Sequence, residues 1–528
     1  MTRGYLAIVL HAHLPFIKHP EYESFLEENW LFEAITDTYI PLIDVFDGLI
    51  KDNVDFRITV SLSPTLINML ADELLIQRYL KHLEKLIRLS ELEIDRTRDD
   101  ARTNKLARMY HGRFLRARHV FVDKYGNNLL NAFRKFGDLG RIEFITSCAT
   151  HALLPLMDLH PSAIRGQVKI ALDTFKETFG SFPEGFWLPE CAYHPGHDKI
   201  LAEFGIKYFF VETHGIMNGT PGPEYGVYSP YVCESGVAVF GRDMESSRAV
   251  WSATEGYPAD RDYREYYRDI GFDLDYEYIR PFINGCGART NTGIKYHKVT
   301  GNADKKEIYD RKTAIKVASR HANDFIINRE KQVKRLSGTM DRAPVIVSPY
   351  DAELFGHWWF EGPEWLDFLL RKVHRRVSSI KTITPSEYLK RYGSFPVITP
   401  SMSSWGYKGY HEVWIDDSND WIYRHLHKIT ELMVKAAEEH KVAGGLKKRV
   451  LNQMARELLL AQSSDWAFIM KTDTFADYAT KRTKEHIGRF LVLYDQLREE
   501  NIDLDMLIEA ENKYNLFENI DYSMYAMK

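Results

Sequence analysis

Apolar and polar positions along the chain form two patterns. The first is a series of short, nearly unbroken apolar runs, each followed at once by polar residues: "GYLAIVLHAH", "FRITVSLSPT", "IEFITSCATHALLP", "GFWLPE", "YFFVETHG", "VAVFGRDMESS" and "PVIVSPYDAEL". Several are rich in Val, Ile, Phe and Tyr. Hydrophobicity that is continuous over a strand length predicts strands buried on both faces, as in parallel sheets. The second pattern is helical and lies between many of these runs. "PSAIRGQVKIALDTFKETFG" places apolar residues at helical spacing between a Pro-Ser start and Gly180, and "HPGHDKILAEFG" is a shorter segment of the same kind ending in Gly205. Alternation of the two predicts an α/β fold with a parallel sheet. About seven strands over ~390 residues favour a barrel with insertions over an open sheet.

Two stretches depart from the alternation. Residues 67–140 are charged, helix-periodic and without strand signal, and read as a helical insertion. After "VITPSMSSWGYKGYHEVWID" the chain becomes almost wholly helical in pattern, in "NDWIYRHLHKITELMVKAAEEH", "LKKRVLNQMARELLLAQ" and "KRTKEHIGRFLVLYDQLREE". This predicts a boundary near residue 400, with residues 1–400 forming the barrel and 401–528 a helical domain beside it.

Composition narrows the class. The chain has 528 residues, 45% hydrophobic and 27% charged, which fits a soluble globular protein. A net charge of -5 gives no basic footprint for nucleic acid. Cys148, Cys191, Cys233 and Cys286 are far apart and make neither a C-x-x-C pair nor a disulfide framework. The first apolar run is broken by His11, too early for a signal-peptide core, and no run approaches the ~20 apolar residues of a membrane span. The expectation is a cytoplasmic protein without a membrane partner; oligomeric state is not readable.

In a parallel α/β barrel the reactive groups sit at the C-terminal ends of strands. Those ends carry His11 and His13, Thr150 and His151, Glu190, Glu212 and His214, Arg242 and Asp243, and Asp351 and Glu353. Two chemistries fit this rim. "HAH" resembles the two-histidine ligand pair of metal-dependent amidohydrolases, and His151, His214 and Asp351 could complete such a site. Alternatively, Glu190 and Asp351 are the carboxylate pair of a glycoside-cleaving enzyme, with His11 and His13 donating to sugar hydroxyls. Trp187 before Glu190, and Trp358, Trp359 and Phe360 after Asp351, favour the sugar reading, because apolar pyranose faces pack on aromatic rings.

"HAHLPF", "WLPECAY", "SPYDAELFGHWWFEGPEWL" and "SSDWAF" resemble the ordered motifs of glycoside hydrolase family 57. "YREYYRDIGFD" and "TGIKYH" are similar to its 1,4-α-glucan branching enzyme group. The resemblance implies a (β/α)7 barrel, a helical C-terminal domain, a retaining mechanism on α-1,4-glucan or maltooligosaccharide, and no metal or cofactor. It implies Glu190 as nucleophile and Asp351 as acid/base, with His11, His13, His151, Arg264, Trp405 and Asp465 at the substrate. It leaves open whether water or a sugar 6-hydroxyl resolves the intermediate, as in an α-amylase or a branching enzyme. It also implies a tyrosine-bearing loop over the intermediate. The corresponding segment lies within 191–236, where residues 213–236 carry Tyr225, Tyr228 and Tyr231 among glycines and prolines, the content of a mobile lid. A non-enzymatic glycogen-binding role would tolerate loss of Glu190, and the presence of both carboxylates speaks against it.

Overall fold

The computed structural model describes residues 3–252, 254–283, 287–301, 306–376 and 379–526. Among these residues nine strands form one sheet: β1 (Gly4–Ala12), β2 (Ile58–Leu62), β3 (Ile142–Ser147), β4 (Gly185–Trp187), β5 (Tyr208–Val211), β6 (Tyr231–Val232), β7 (Ala238–Gly241), β8 (Val345–Asp351) and β9 (Ile380–Thr382). Their order is β6-β7-β5-β4-β3-β2-β1-β8, with β9 also on β1. Seven of them, β1, β2, β3, β4, β5, β7 and β8, run parallel and make the (β/α)7 barrel. Along β1 the pairing is divided. β8 follows it from Tyr5 to His11, while β9 takes Gly4 to Leu6 and β2 takes Val9 to Ala12.

The unbroken hydrophobicity of the strands has a direct cause. Every residue of β1 is buried. Leu6, Ile8 and Leu10 pack outward against the helices, while Tyr5, Ala7 and Val9 point the other way. Inside, they meet Trp187, Tyr208, Phe210, Phe240, Val345 and Val347, so the barrel is filled rather than hollow. Gly185 opens β4 because a Cβ there would lie 2.2 Å from the Tyr208 ring.

The tyrosine-rich segment expected as a lid lies elsewhere. β6 runs antiparallel to β7, with Tyr231 opposite Val239, and the Tyr228 carbonyl accepts from Val345 N at 2.9 Å. Residues 228–232 therefore fill the seam between β7 and β8 at the strands' N-terminal end, on the side away from the ends that carry His11, Glu190 and Asp351. Higher in the same seam, Asp243 N donates to Val347 O at 2.9 Å. Tyrosine and small residues here serve barrel closure, which period-2 pairing over two residues gives no sequence pattern to reveal.

Residues 67–140 hold the helices Glu73–Arg96, Ala101–Arg118 and Leu130–Asp138. We place the division between barrel and helical part near residue 400. The latter comprises Trp421–Glu439, Gly445–Ala461, Ser464–Thr472, Ala476–Arg498 and Leu504–Lys513. Its docking on the barrel is polar as well as apolar. Gln167 Nε2 donates to Gln462 Oε1 at 3.0 Å, Thr150 Oγ1 donates to Leu459 O, and the fully buried Arg482 donates to Phe16 O at 3.3 Å. Among the described residues no helix is long and apolar enough to cross a membrane. Cys148, Cys191 and Cys233 are free and buried; Cys286 lies outside the described residues.

Candidate active site

The C-terminal strand ends open into a cleft of about 590 Å3 between barrel and helical part. Glu190 and Asp351 both line it, together with His11, His13, His151 and Asp465. Trp405 and Arg242 complete its polar floor.

Glu190 follows β4 in a left-handed backbone conformation, φ 60° and ψ 22°, and Cys191 after it also has positive φ, at 50°. Left-handed geometry is costly for a residue with a Cβ and persists only where the surroundings impose it. Here they do. Trp405 N donates to Glu190 O at 2.8 Å, Trp405 Nε1 donates to Glu190 Oε2 at 2.6 Å, and Ser464 Oγ donates to Glu190 Oε1 at 3.0 Å. Burial pushes the Glu190 carboxyl up to about 7; the Trp405 hydrogen bond works against that, and Asp465 and Asp351 add to it.

Asp351 ends β8, in register with His11 of β1. Its carboxylate accepts no hydrogen bond from any described residue. Burial pushes it up to about 7, Glu353 adds to the rise, and His13 and Arg242 oppose it. Glu353 accepts from Tyr39 OH at 2.5 Å and from His13 N at 3.3 Å, and burial holds it at about 7 as well. The two principal carboxyls are raised alike, to about 7, but their hydrogen bonds are unequal. Glu190 is surrounded by donors that favour its anion, and Asp351 has none, which favours its neutral acid.

The histidines form a stack. The His13 and His151 rings lie 3.9 Å apart at 16°, and His11 stacks on Trp187 at 4.8 Å. His11 Nε2 meets His151 Nε2 at 3.0 Å, His151 Nδ1 meets Ser464 Oγ at 3.0 Å, and His13 Nε2 meets Asp465 Oδ2 at 3.0 Å. Burial lowers His11 and His151 well below the ordinary histidine range. Asp465 resists the upward pull of burial and is held at about 2 by His13, with help from His151 and Ser463.

His13, His151 and Asp465 are close enough in space to hold a metal ion. The ring geometry fits one poorly. Imidazole lone pairs lie in the ring plane, so two rings stacked nearly parallel direct them side by side rather than onto a common ion. His214, a proposed fourth ligand, is turned away and meets Gly409 O at 2.8 Å.

Other rim residues sort clearly. Glu212 pairs with Arg242 at 2.9 Å, and the Arg242 guanidinium lies 5.6 Å from the Trp405 ring. Asp243 accepts from Ser246 N at the start of the helix Met244–Trp251 and pairs with Arg329 at 3.1 Å, a structural role. Thr150 serves the interdomain contact. Arg264, expected at the substrate, is buried behind the cleft wall, with its guanidinium 4.0 Å over the Phe360 ring and donating to His357 O at 3.4 Å. Tyr266, two residues on, lines the cleft in its place. Of the aromatic residues flanking the carboxylates, Trp187, Trp359 and Phe360 are buried, and only Trp358, 44% exposed, reaches the cleft. Trp30 and Trp251 also line it and carried no sequence signal, while Phe468, which lines it too, closes "SSDWAF". Ser464 was within reach, since it stands in "SSDWAF" beside Asp465.

The chain is similar to known proteins over its whole length. The model of glycosyl hydrolase family 57 matches residues 7–399, and that of the 1,4-alpha-glucan branching enzyme C-terminal region matches residues 425–525. A curated 1,4-alpha-glucan branching enzyme of Thermococcus kodakarensis is 32% identical over 99% of this chain and 79% of its own length. Among solved structures, a novel alpha-amylase of Thermotoga maritima is 44% identical, with a TM-score of 0.94 and complete coverage of both chains. The branching enzyme of Pyrococcus horikoshii is 33% identical, with a TM-score of 0.90, covering 100% of this chain and 97% of that one. A match spanning most of the barrel, with the motifs of Glu190 and Asp351 meeting in one cleft, makes this chain a member of glycosyl hydrolase family 57.

Proposed function

We propose that this protein cleaves α-1,4-glucosidic bonds with retention and transfers the cleaved chain to a glucan 6-hydroxyl, the reaction of a 1,4-α-glucan branching enzyme, with hydrolysis alongside. The observation that carries the proposal is the unequal pair of carboxylates in one aromatic cleft. Glu190, ionised, attacks the anomeric carbon while Asp351 gives its proton to the departing 4-oxygen. This leaves a glycosyl ester on Glu190 and an anionic Asp351. Loss of the Glu190 charge removes its repulsion on Asp351, which then takes the proton of the incoming hydroxyl as that oxygen displaces Glu190. Tyr39 and His13 hold Glu353 beside Asp351. The match of the C-terminal part to the branching enzyme model supports transfer.

The likeness to the Thermotoga maritima alpha-amylase favours a second reading, in which water is the main acceptor. Incubation with amylose separates the two: new α-1,6 branches are counted against new reducing ends. Branches in excess support the first reading, and reducing ends without branches support the second. Glu190→Gln is expected to lose at least ~10³-fold of either activity, because an amide cannot form the ester. Near-normal turnover by that variant refutes both.

A further inference from the structure

The hydrogen bonds around Glu190 continue well beyond it. From Glu190 Oε1 the chain runs to Ser464 Oγ at 3.0 Å, to His151 Nδ1 at 3.0 Å, from His151 Nε2 to His11 Nε2 at 3.0 Å, and from His11 Nδ1 to Ser61 Oγ at 3.2 Å. Ser61, His11, His151 and Ser464 are all at most 3% exposed, so water does not compete for these positions. The backbone fixes both ends of the central link. His151 has positive φ, at 58°, and its carbonyl accepts from Ser464 N at 3.0 Å.

Chemistry sets the direction of the chain. A carboxylate only accepts, so with Glu190 ionised Ser464 donates to it. The Ser464 oxygen then accepts from His151 Nδ1–H. A neutral imidazole has one N–H, so His151 Nε2 is an acceptor and takes the Nε2–H of His11. His11 Nδ1 is then an acceptor in turn, supplied by Ser61 Oγ–H. Every hydrogen in the chain points toward Glu190, and each bond polarises the next. Protonation of Glu190 removes the charge that fixes this direction.

We propose that Ser464 is a positioning residue for the Glu190 nucleophile, oriented by His151, His11 and Ser61, so that this buried chain favours the anionic carboxylate. The inference rests on the reading of Glu190 as nucleophile. Its consequence is that both side-chain donors to the nucleophile, Ser464 and Trp405, come from beyond the division near residue 400.

The test is the pH profile of kcat/KM on a short chromogenic maltoside, measured with full-length variants. The charged and titratable groups facing Glu190 are Asp351 from β8, Asp465 from the helix Ser464–Thr472, His151 after β3 and Arg242 after β7. None of them is altered by the substitutions used. Ser464→Ala is expected to lower kcat/KM about tenfold on the acid side and to move the pH optimum up, since a hydrogen bond to a charged group is lost. Ser464→Thr keeps the hydroxyl and is expected to restore most of the loss. Ser61→Ala removes the far end of the chain, remote from substrate, and is expected to shift the optimum the same way by less, with KM unchanged. An unmoved optimum in Ser464→Ala, or Ser464→Thr as impaired as Ala, overturns the inference. If Ser464→Ala does not fold, Ser61→Ala decides, and an unmoved optimum there overturns it too. Activity retained in Glu190→Gln strikes at the proposed function instead, so the two failures are distinguishable.

Discussion

Trp405→Phe isolates one hydrogen bond. The indole Nε1–H is 2.6 Å from Glu190 Oε2, and indole nitrogen can only donate. Phenylalanine keeps an aromatic ring in the cleft and removes the donor. A hydrogen bond to a charged group is worth about 1.5–3 kcal/mol, which is about one to two units of pKa. Burial already holds Glu190 at about 7, so the substitution carries its ionisation clear of neutrality. On the acid side activity is proportional to the ionised fraction, and the expected loss in kcat/KM there is about 10- to 100-fold. Toward higher pH the variant recovers part of this, so its optimum moves up. The assay is initial-rate hydrolysis of a chromogenic maltoside across the pH range, with kcat and KM resolved at each point. A profile lowered uniformly, with its optimum unmoved and KM raised, would show that Trp405 acts by stacking on sugar, and the electrostatic reasoning would fail.

Three further outcomes follow from the same geometry. Glu190 titrates near 7 in the folded chain against an ordinary 4.5, so folding binds its proton more tightly; stability falls as pH rises through that window, and the penalty is fully present above 7. Glu190→Gln should therefore raise Tm at pH 8, by at most the equivalent of about 3 kcal/mol, and by little below pH 4.5, as scanning calorimetry can show; equal Tm at pH 8 contradicts the burial argument. Exhaustive chelation is expected to leave activity intact, and loss of activity restored by zinc would return His13, His151 and Asp465 to a ligand role. Because Tyr225 lies near the barrel seam while Trp358 lines the cleft, Tyr225→Ser should leave the ratio of branches to reducing ends unchanged, whereas Trp358→Ala should raise KM for amylose about 3- to 10-fold; the reverse pattern would reinstate a lid.

Legibility in the sequence followed the physics of each element. Strands such as Gly4–Ala12 were readable because both faces are buried and every residue is constrained. That Glu190 and Asp351 would meet at one rim was readable because each follows an apolar run whose end faces the cleft. Arg264 misled because a residue beside cleft-lining Tyr266 can turn into the wall, and sequence adjacency does not say which way a side chain leaves an irregular segment. The tyrosines of 213–236 misled because glycine, proline and tyrosine suit a strand-poor seam as well as a mobile loop. Ser464 stands in a motif the sequence singled out, but its partner could not be read there. Its partner Glu190 is 274 positions away, and only the docking of the helical part brings them together.

A ring of strands joined by full ladders everywhere except one place has one place to breathe. Here that place is between β7 and β8, where Val345 N to Tyr228 O and Asp243 N to Val347 O take over from a continuous ladder. Amides at that junction should exchange with solvent sooner than those inside β1 or β2. β8 is held along its whole length by β1 alone, and Asp351 is its last residue, while Glu190 follows a strand paired on both edges. Thermal loosening of the junction is expected to move Asp351 more than Glu190. The separation between them, which decides whether a sugar is attacked directly or through water, then depends on this joint staying shut at the temperature where the enzyme works.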